Sequence, residues 1–205
     1  MKNILTLNAI SPVINDIFDT SYNVAPDAEN PVGIILRSFK MHDYPLSPST
    51  IAVARAGAGV NNIPVEDYAA RGVVVFNTPG ANANAVKELV ITALLLGSRR
   101  ISDGIKWVDS LKGKGAEIGK LVEKGKAEFA GREIYGKKIG VIGLGAIGAQ
   151  VANAAVVLGM EVLGYDPFLS VNSALKLSRA VKVVKDLEDI FKNCDYITIH
   201  IPYIA

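Results

Sequence analysis

Apolar residues along the chain fall into short runs rich in β-branched side chains, separated by stretches whose apolar positions recur at helical spacing. The runs predict strands over 3–7, 32–36, 51–55 and 72–76, and again over 138–142, 161–165, 181–184 and 196–201. A run such as Ile139-Gly140-Val141-Ile142 lacks the polar alternation of a half-exposed strand and suits a parallel sheet covered by helices on both faces. Between the runs, Ser11-Pro12 reads as a helix cap with proline in the first helical position, 64–71 as a short helix ended by Gly72, and 146–158 as a helix closed by Gly159. The longest helical pattern covers 84–111. Beyond it, 112–137 is charged and broken by glycine, and reads as a surface connection rather than a core element. Regular β-α alternation predicts an α/β fold with parallel sheets, divided into domains at 1–84 and 85–205.

The glycine spacing at the start of the second half carries chemistry. Gly143-Leu144-Gly145-Ala146-Ile147-Gly148 follows one predicted strand directly and opens a predicted helix. In such a turn the first glycine permits the tight bend, the second lets a diphosphate approach the backbone, and the third lets helix and strand pack closely. The helix N-terminus offers unpaired N–H groups and a partial positive charge to phosphate oxygens. Asp166 lies 23 residues after Gly143, at the end of the next predicted strand. A carboxylate there can accept hydrogen bonds from adenosine ribose hydroxyls and would repel a 2′-phosphate, which predicts NAD rather than NADP. The same logic places the strands at 138, 161 and 181 in sequence and the strand 196–201 on the far side of the first, as a long exposed edge.

Composition narrows the partners. Lys and Arg number 22 against 20 Asp and Glu, a formal charge of +2 without the basic stripe of a nucleic-acid binder. No apolar run reaches the ~18 residues of a membrane span, and no signal-peptide pattern is legible, so a cytoplasmic globular protein is expected. The one cysteine, Cys194, excludes a disulfide framework and a cysteine-based zinc site, and nothing near it suggests an activated thiolate.

Four blocks, in order along the chain, carry a family resemblance: Ile35-Leu-Arg-Ser38; Ala54-Arg-Ala-Gly-Ala-Gly-Val-Asn-Asn62; Phe76-Asn-Thr-Pro-Gly-Ala-Asn82 with Lys87-Glu-Leu-Val90; and 136–148 running on to Gly164-Tyr-Asp-Pro167. With Asp195-Tyr-Ile-Thr-Ile-His-Ile-Pro202, the chain resembles the NAD-dependent D-isomer-specific 2-hydroxyacid dehydrogenases, most closely the branch that oxidises D-3-phosphoglycerate to 3-phosphohydroxypyruvate on the way to L-serine. The resemblance implies a flavodoxin-like substrate domain followed by a partial Rossmann NAD-binding domain. It sets Arg37, Ser38, Arg55 and Asn82 about a small phosphorylated 2-hydroxyacid, with backbone N–H groups of Gly57, Ala58 and Gly59 toward its carboxylate. It sets Gly143, Gly145, Ala146, Ile147, Gly148 and Asp166, with the backbone of His200, Ile201 and Pro202, about NAD. It also implies a homodimer, with 91–129 as the arm that reaches the neighbour; Trp107 within it fits either a core contact or a dimer anchor.

Two departures stand out. Asn61-Asn62 replaces the family's usual Asp-Asn. The family's catalytic arginine, glutamate and histidine lie beyond its fourth cofactor-domain strand, so the resemblance implies that these 205 residues are a truncated form without the acid/base pair. His200 reads as structural and His42 as solvated. Another D-2-hydroxyacid dehydrogenase (for glycerate, lactate or glyoxylate), a non-catalytic NAD-binding corepressor and a domain that binds nothing remain open as rival readings.

Overall fold

The computed structural model describes residues 1–201. The chain divides into two compact units, Met1–Asn82 and a second from Ala83 onward, and each is a parallel α/β layer.

In the first unit β1 (Lys2–Leu7), β2 (Tyr22–Ala25), β3 (Gly33–Leu36), β4 (Ala52–Arg55) and β5 (Val74–Asn77) form one sheet in the order β2-β1-β3-β4-β5. Every pairing is parallel. This is the flavodoxin-like order. Alternate residues Leu5, Ile34, Leu36 and Val53 turn to one face and are buried with Met41, Leu46, Ile63 and Tyr68. The helices are short: α1 (Ile14–Ile17) and α2 (Val65–Ala70), the latter stopped by Gly72 at φ +75°.

In the second unit β6 (Lys138–Ile142), β7 (Glu161–Tyr165), β8 (Val181–Val183) and β9 (Tyr196–Ile199) take the order β8-β7-β6-β9, all parallel. The helix α6 (Ala146–Val157) lays Ala152 and Ala155 against the sheet residues Ile139, Val141 and Val162. Gly159, at φ +79°, closes it. Two short helices, α7 (Val171–Ala174) and α8 (Leu187–Asn193), follow β7 and β8. Gly140 is needed where α8 crosses β6, because a Cβ there would lie 2.3 Å from Ile190 Cγ2. Among the described residues β9 is the outer strand of this sheet, and its Ile197 and Ile199 are exposed.

Four sequence expectations are corrected. The strand β2 carries no apolar run, since Tyr22-Asn-Val-Ala25 is a polar-interrupted edge strand, and only its pairing with β1 makes it a strand. Ser11-Pro12 does not cap α1; the helix begins at Ile14, and the carbonyls of Ser11 and Pro12 accept the N–H groups of Ile14 and Asn15 in a preceding turn.

The pattern over 84–111 is two helices, α3 (Ala83–Arg99) and α4 (Ile101–Ser110), broken at Arg100 with φ +50°. The break is tertiary in origin. The Arg132 N–H donates to the Ser98 carbonyl, Gly131 packs against the Ser98–Arg99 backbone, and the Arg100 guanidinium donates to the Glu128 carbonyl. The segment beyond is partly helical, with α5 (Ile118–Gly125) between 3-10 turns at Gly115–Glu117 and Lys126–Phe129, none of which buries a residue. Trp107 packs on Phe129 with ring centroids 5.0 Å apart, a contact within its own unit. Among the described residues no helix is long and apolar enough to cross a membrane.

Candidate functional site

Parallel sheets bind ligands outside the carboxyl ends of their strands, where the strand order reverses. In the second unit that point lies between β6 and β9. The turn after β6 is held from three sides. Gly143, at φ +87°, donates its N–H to the Tyr165 carbonyl (2.8 Å), and a Cβ on it would lie 2.7 Å from the His200 carbonyl oxygen and 2.8 Å from Ile201 Cγ2. A Cβ on Gly148 would lie 1.8 Å from the Gly143 carbonyl oxygen. These two glycines are required by the protein's own packing. Gly145 is different: a Cβ on it meets nothing within 4 Å. Its φ of −70° suits any residue, so the space beside it is open toward solvent.

Gly145 is also the N-cap of α6, and no side chain caps that end. The first-turn amides of Ala146 and Ile147 therefore have no intrahelical acceptor, and they lie where Gly145 and Ala146 are exposed. An anion set there gains the helix dipole and two or three N–H donors. Asp166 follows β7 and fastens the turn: its Oδ2 accepts the Leu144 N–H and its Oδ1 the Phe168 N–H, both at 2.9 Å. Each carboxylate oxygen keeps a further lone pair for an incoming hydroxyl.

His200 continues from β9 with its N–H on the Ile142 carbonyl (2.7 Å) and its Nε2 2.9 Å from Thr198 Oγ1. Burial holds its imidazole below the ordinary histidine range, toward the neutral form. The turn thus gathers Gly143, Gly145, Ala146, Ile147, Gly148, Asp166, His200 and Ile201; Pro202 lies outside the described residues.

The depressed His200 value predicts a pH effect on stability. Its folded pKa is lowered, so the unfolded chain takes up a proton first, and stability is lost as pH falls from about 6.5 through the folded value. His200→Gln will flatten this limb of a plot of denaturation midpoint against pH; an unchanged limb would assign it to other groups.

The first unit has its own cleft of about 380 Å³ at the carboxyl ends of its strands. Ala9, Ile10 and Ser11 line it after β1, Arg37 after β3, Gly57 after β4, and Thr78 and Asn82 after β5. Of the residues anticipated for the substrate, Arg37, Gly57 and Asn82 meet here, while Ser38, Arg55, Ala58 and Gly59 do not line the cavity. Arg37 and Ser38 are exposed, and Arg37 makes no ion pair among the described residues. The Ser38 N–H donates to Asn8 Oδ1 (3.0 Å), and Asn8 sits at φ +69° just before the cleft. Arg55 turns back: its Nε donates to the Arg37 carbonyl at 2.9 Å and its Nη1 to the Gly59 carbonyl. Asn62, one-tenth exposed, donates to the Phe39 carbonyl at 2.7 Å, which ties the same two loops. Ala9, Ile10 and Thr78 were not expected at a site and Ser11 was expected only as a helix cap, although the ends of parallel strands, here β1 and β5, are where such residues lie.

His42 is exposed, with Nε2 3.0 Å from the Asn61 carbonyl. Burial and the adjacent Asp195 push the Cys194 thiol up, so it stays protonated. No cluster of three His, Cys, Asp or Glu that could hold a metal occurs among the described residues.

Comparison with known proteins agrees with the cradle. Residues 91–205 match the family described as D-isomer specific 2-hydroxyacid dehydrogenase, NAD binding domain. The chain belongs to this family. NAD is the cofactor for which the family's domain is named, and the open space at Gly145, the free helix end and Asp166 fit its diphosphate and ribose.

The D-3-phosphoglycerate dehydrogenase of Methanocaldococcus jannaschii is 39% identical over 150 residues, 73% of this chain and 26% of that protein. The hydroxypyruvate reductase of Thermotoga maritima is 37% identical over 150 residues, 73% of this chain and 44% of that protein. The solved NAD+-bound 3-phosphoglycerate dehydrogenase of Entamoeba histolytica superposes with a TM-score of 0.68 at 25% identity, covering 99% of this chain and 63% of that one. The chain spans about a quarter of the length of the curated phosphoglycerate dehydrogenases it matches.

Proposed function

We propose that the chain serves an NAD-dependent dehydrogenase of D-2-hydroxy acids whose substrate is D-3-phosphoglycerate, oxidised to 3-phosphohydroxypyruvate on the route to L-serine. The observation that carries the reading is the turn at 143–148, in which the chain's own packing demands Gly143 and Gly148 and leaves open space beside Gly145 at the uncapped end of α6. When bound, NAD supplies the acceptor for the hydride that leaves the alcohol carbon.

The chain's own residues bind and orient. Gly145, Ala146 and Ile147 offer amides to the diphosphate, Gly143 and Gly148 shape the turn, and Asp166 accepts from the ribose. The backbone at His200 and Ile201 walls the turn from the β9 side. In the first unit Arg37 and Asn82 reach into the cleft, where a phosphate finds a guanidinium and an amide, with Ser38 beside them. Guanidinium groups favour phosphate and carboxylate because the donors are charged and set in a plane. Arg55 supports the loop Gly57-Ala58-Gly59; the Gly57 N–H is taken by the Arg55 carbonyl (2.9 Å), and those of Ala58 and Gly59 suit the substrate carboxylate. In this reading residues 1–84 hold substrate and 85–205 hold NAD. Exposed Ile101, Ile105 and Val108 on α4 and Leu89 on α3 favour a homodimer that covers them.

The hydroxypyruvate reductase relative favours a second reading, an unphosphorylated 2-hydroxy acid. Titration of the NADH-loaded chain with D-3-phosphoglycerate, D-glycerate and D-lactate separates the two. The proposal expects phosphoglycerate to bind at least about tenfold more tightly, from one charge-assisted contact to Arg37. Equal affinity for the three would overturn the phosphorylated substrate and leave the unphosphorylated one.

A further inference from the structure

Arg55 and Asn77 are paired across β4 and β5 at the carboxyl ends of both strands, so both side chains reach the loop that follows β4. Three successive carbonyls of that loop are held. The Thr78 N–H donates to the Gly57 carbonyl at 2.9 Å, Asn77 Nδ2 to the Ala58 carbonyl at 2.6 Å, and Arg55 Nη1 to the Gly59 carbonyl. In a trans peptide the carbonyl of one residue and the N–H of the next point in opposite directions. Holding these carbonyls toward β4 and β5 therefore turns the N–H groups of Ala58, Gly59 and Val60 away from the sheet. Ala58 and Gly59 are exposed, and none of the three amides has an acceptor among the described residues.

We propose that Asn77 is a positioning residue, which touches no substrate but, with the Thr78 amide and Arg55, fixes the loop so that consecutive backbone N–H groups at 58–60, which follow the cleft residue Gly57, meet the carboxylate of a 2-hydroxy acid whose other end lies in the cleft with Arg37. This rests on the substrate reading above. Asn77 suits the task because its amide is a neutral donor. A lysine would bring a competing charge to the carboxylate, and an aspartate would repel the Ala58 carbonyl. The Asn77 side chain is exposed and belongs to no core, so its removal leaves the sheet intact.

The test uses the whole chain and two ligands, D-3-phosphoglycerate and glycerol 3-phosphate, which has a hydroxymethyl group where the first has its carboxylate. In the parent the backbone amide resonances of Ala58, Gly59 and Val60 should respond to phosphoglycerate and not to glycerol 3-phosphate. Asn77→Ala should bind phosphoglycerate about tenfold more weakly, as for one lost charge-assisted contact, and bind glycerol 3-phosphate as the parent does. Unchanged phosphoglycerate affinity in the variant, with the three amides responding as before, overturns the positioning role. Should Asn77→Ala melt early, Asn77→Leu keeps the shape without the donor and carries the same comparison.

If the parent binds neither ligand, the substrate reading fails, and the loop is judged in the free chain by the residual dipolar coupling of the Gly59 N–H, which reports that bond's direction. A coupling altered in Asn77→Ala sustains the loop-fixing role, and an unaltered one overturns it.

Discussion

Gly145→Ala will leave the melting temperature within about 3 °C of the parent while weakening NADH binding at least about tenfold. The two effects separate because the new methyl group touches nothing in the protein. A Cβ on Gly145 meets no atom within 4 Å, the backbone φ of −70° accommodates alanine, and the only stability cost is that alanine makes a poorer N-cap than glycine, about 0.5 kcal/mol. The methyl would fill the space through which a diphosphate reaches the amides of α6. Gly148→Ala forms the contrast. Its Cβ would lie 1.8 Å from the Gly143 carbonyl oxygen, so strand and helix must part, at a cost of about 1–3 kcal/mol or more. That variant should lose both stability and binding. Thermal denaturation and NADH fluorescence titration on the pair decide the matter; if Gly145→Ala binds like the parent, no ligand approaches the second glycine.

Asp166→Ala will lower the melting temperature by several degrees and weaken the preference for NADH over NADPH. The stability effect follows from two backbone donors. Leu144 is wholly buried, and its N–H goes to Asp166 Oδ2; the Phe168 N–H goes to Oδ1. Removing the acceptor strands a buried N–H, which costs about 1–3 kcal/mol. Asp166→Asn keeps one carbonyl acceptor and should recover part of the loss. Both variants remove the negative charge that repels a 2′-phosphate, so the ratio of NADPH to NADH affinity should rise about tenfold in each. Competition titrations measure the ratio. Strong NADH preference surviving in both variants would show that another group reads the ribose.

How far the sequence could be read depended on the range of the forces at each place. β6, the glycine turn and α6 are legible because adjacent residues determine them: an unbroken apolar strand, glycines at fixed offsets, and Gly159 to stop the helix. The second sheet's order was legible from the same motif. The break at Arg100 was not, since the local pattern runs on helically and it is the distant 128–132 segment that takes the Ser98 carbonyl and the Arg100 guanidinium. β2 escaped notice because Asn23 interrupts its apolar positions and only the partner strand stabilises it.

The candidate site divides in the same way. Gly143, Gly148 and Asp166 could be read from spacing, whereas the fastening roles of Arg55, Asn62 and Asn77 depend on carbonyls at other strand ends. Ser11, read as a helix cap, instead lines the first unit's cleft.

The central claim is that a dinucleotide rests on the open N-terminus of α6 with its ribose at Asp166. Its most direct measurement is a calorimetric titration of the folded chain with NADH, followed by amide spectra that locate the contact. The account predicts saturable binding of one NADH per chain, with the Gly145, Ala146 and Ile147 amides shifting together. Absence of binding at millimolar NADH to a demonstrably folded chain, or binding that leaves those three amides unmoved, would contradict it.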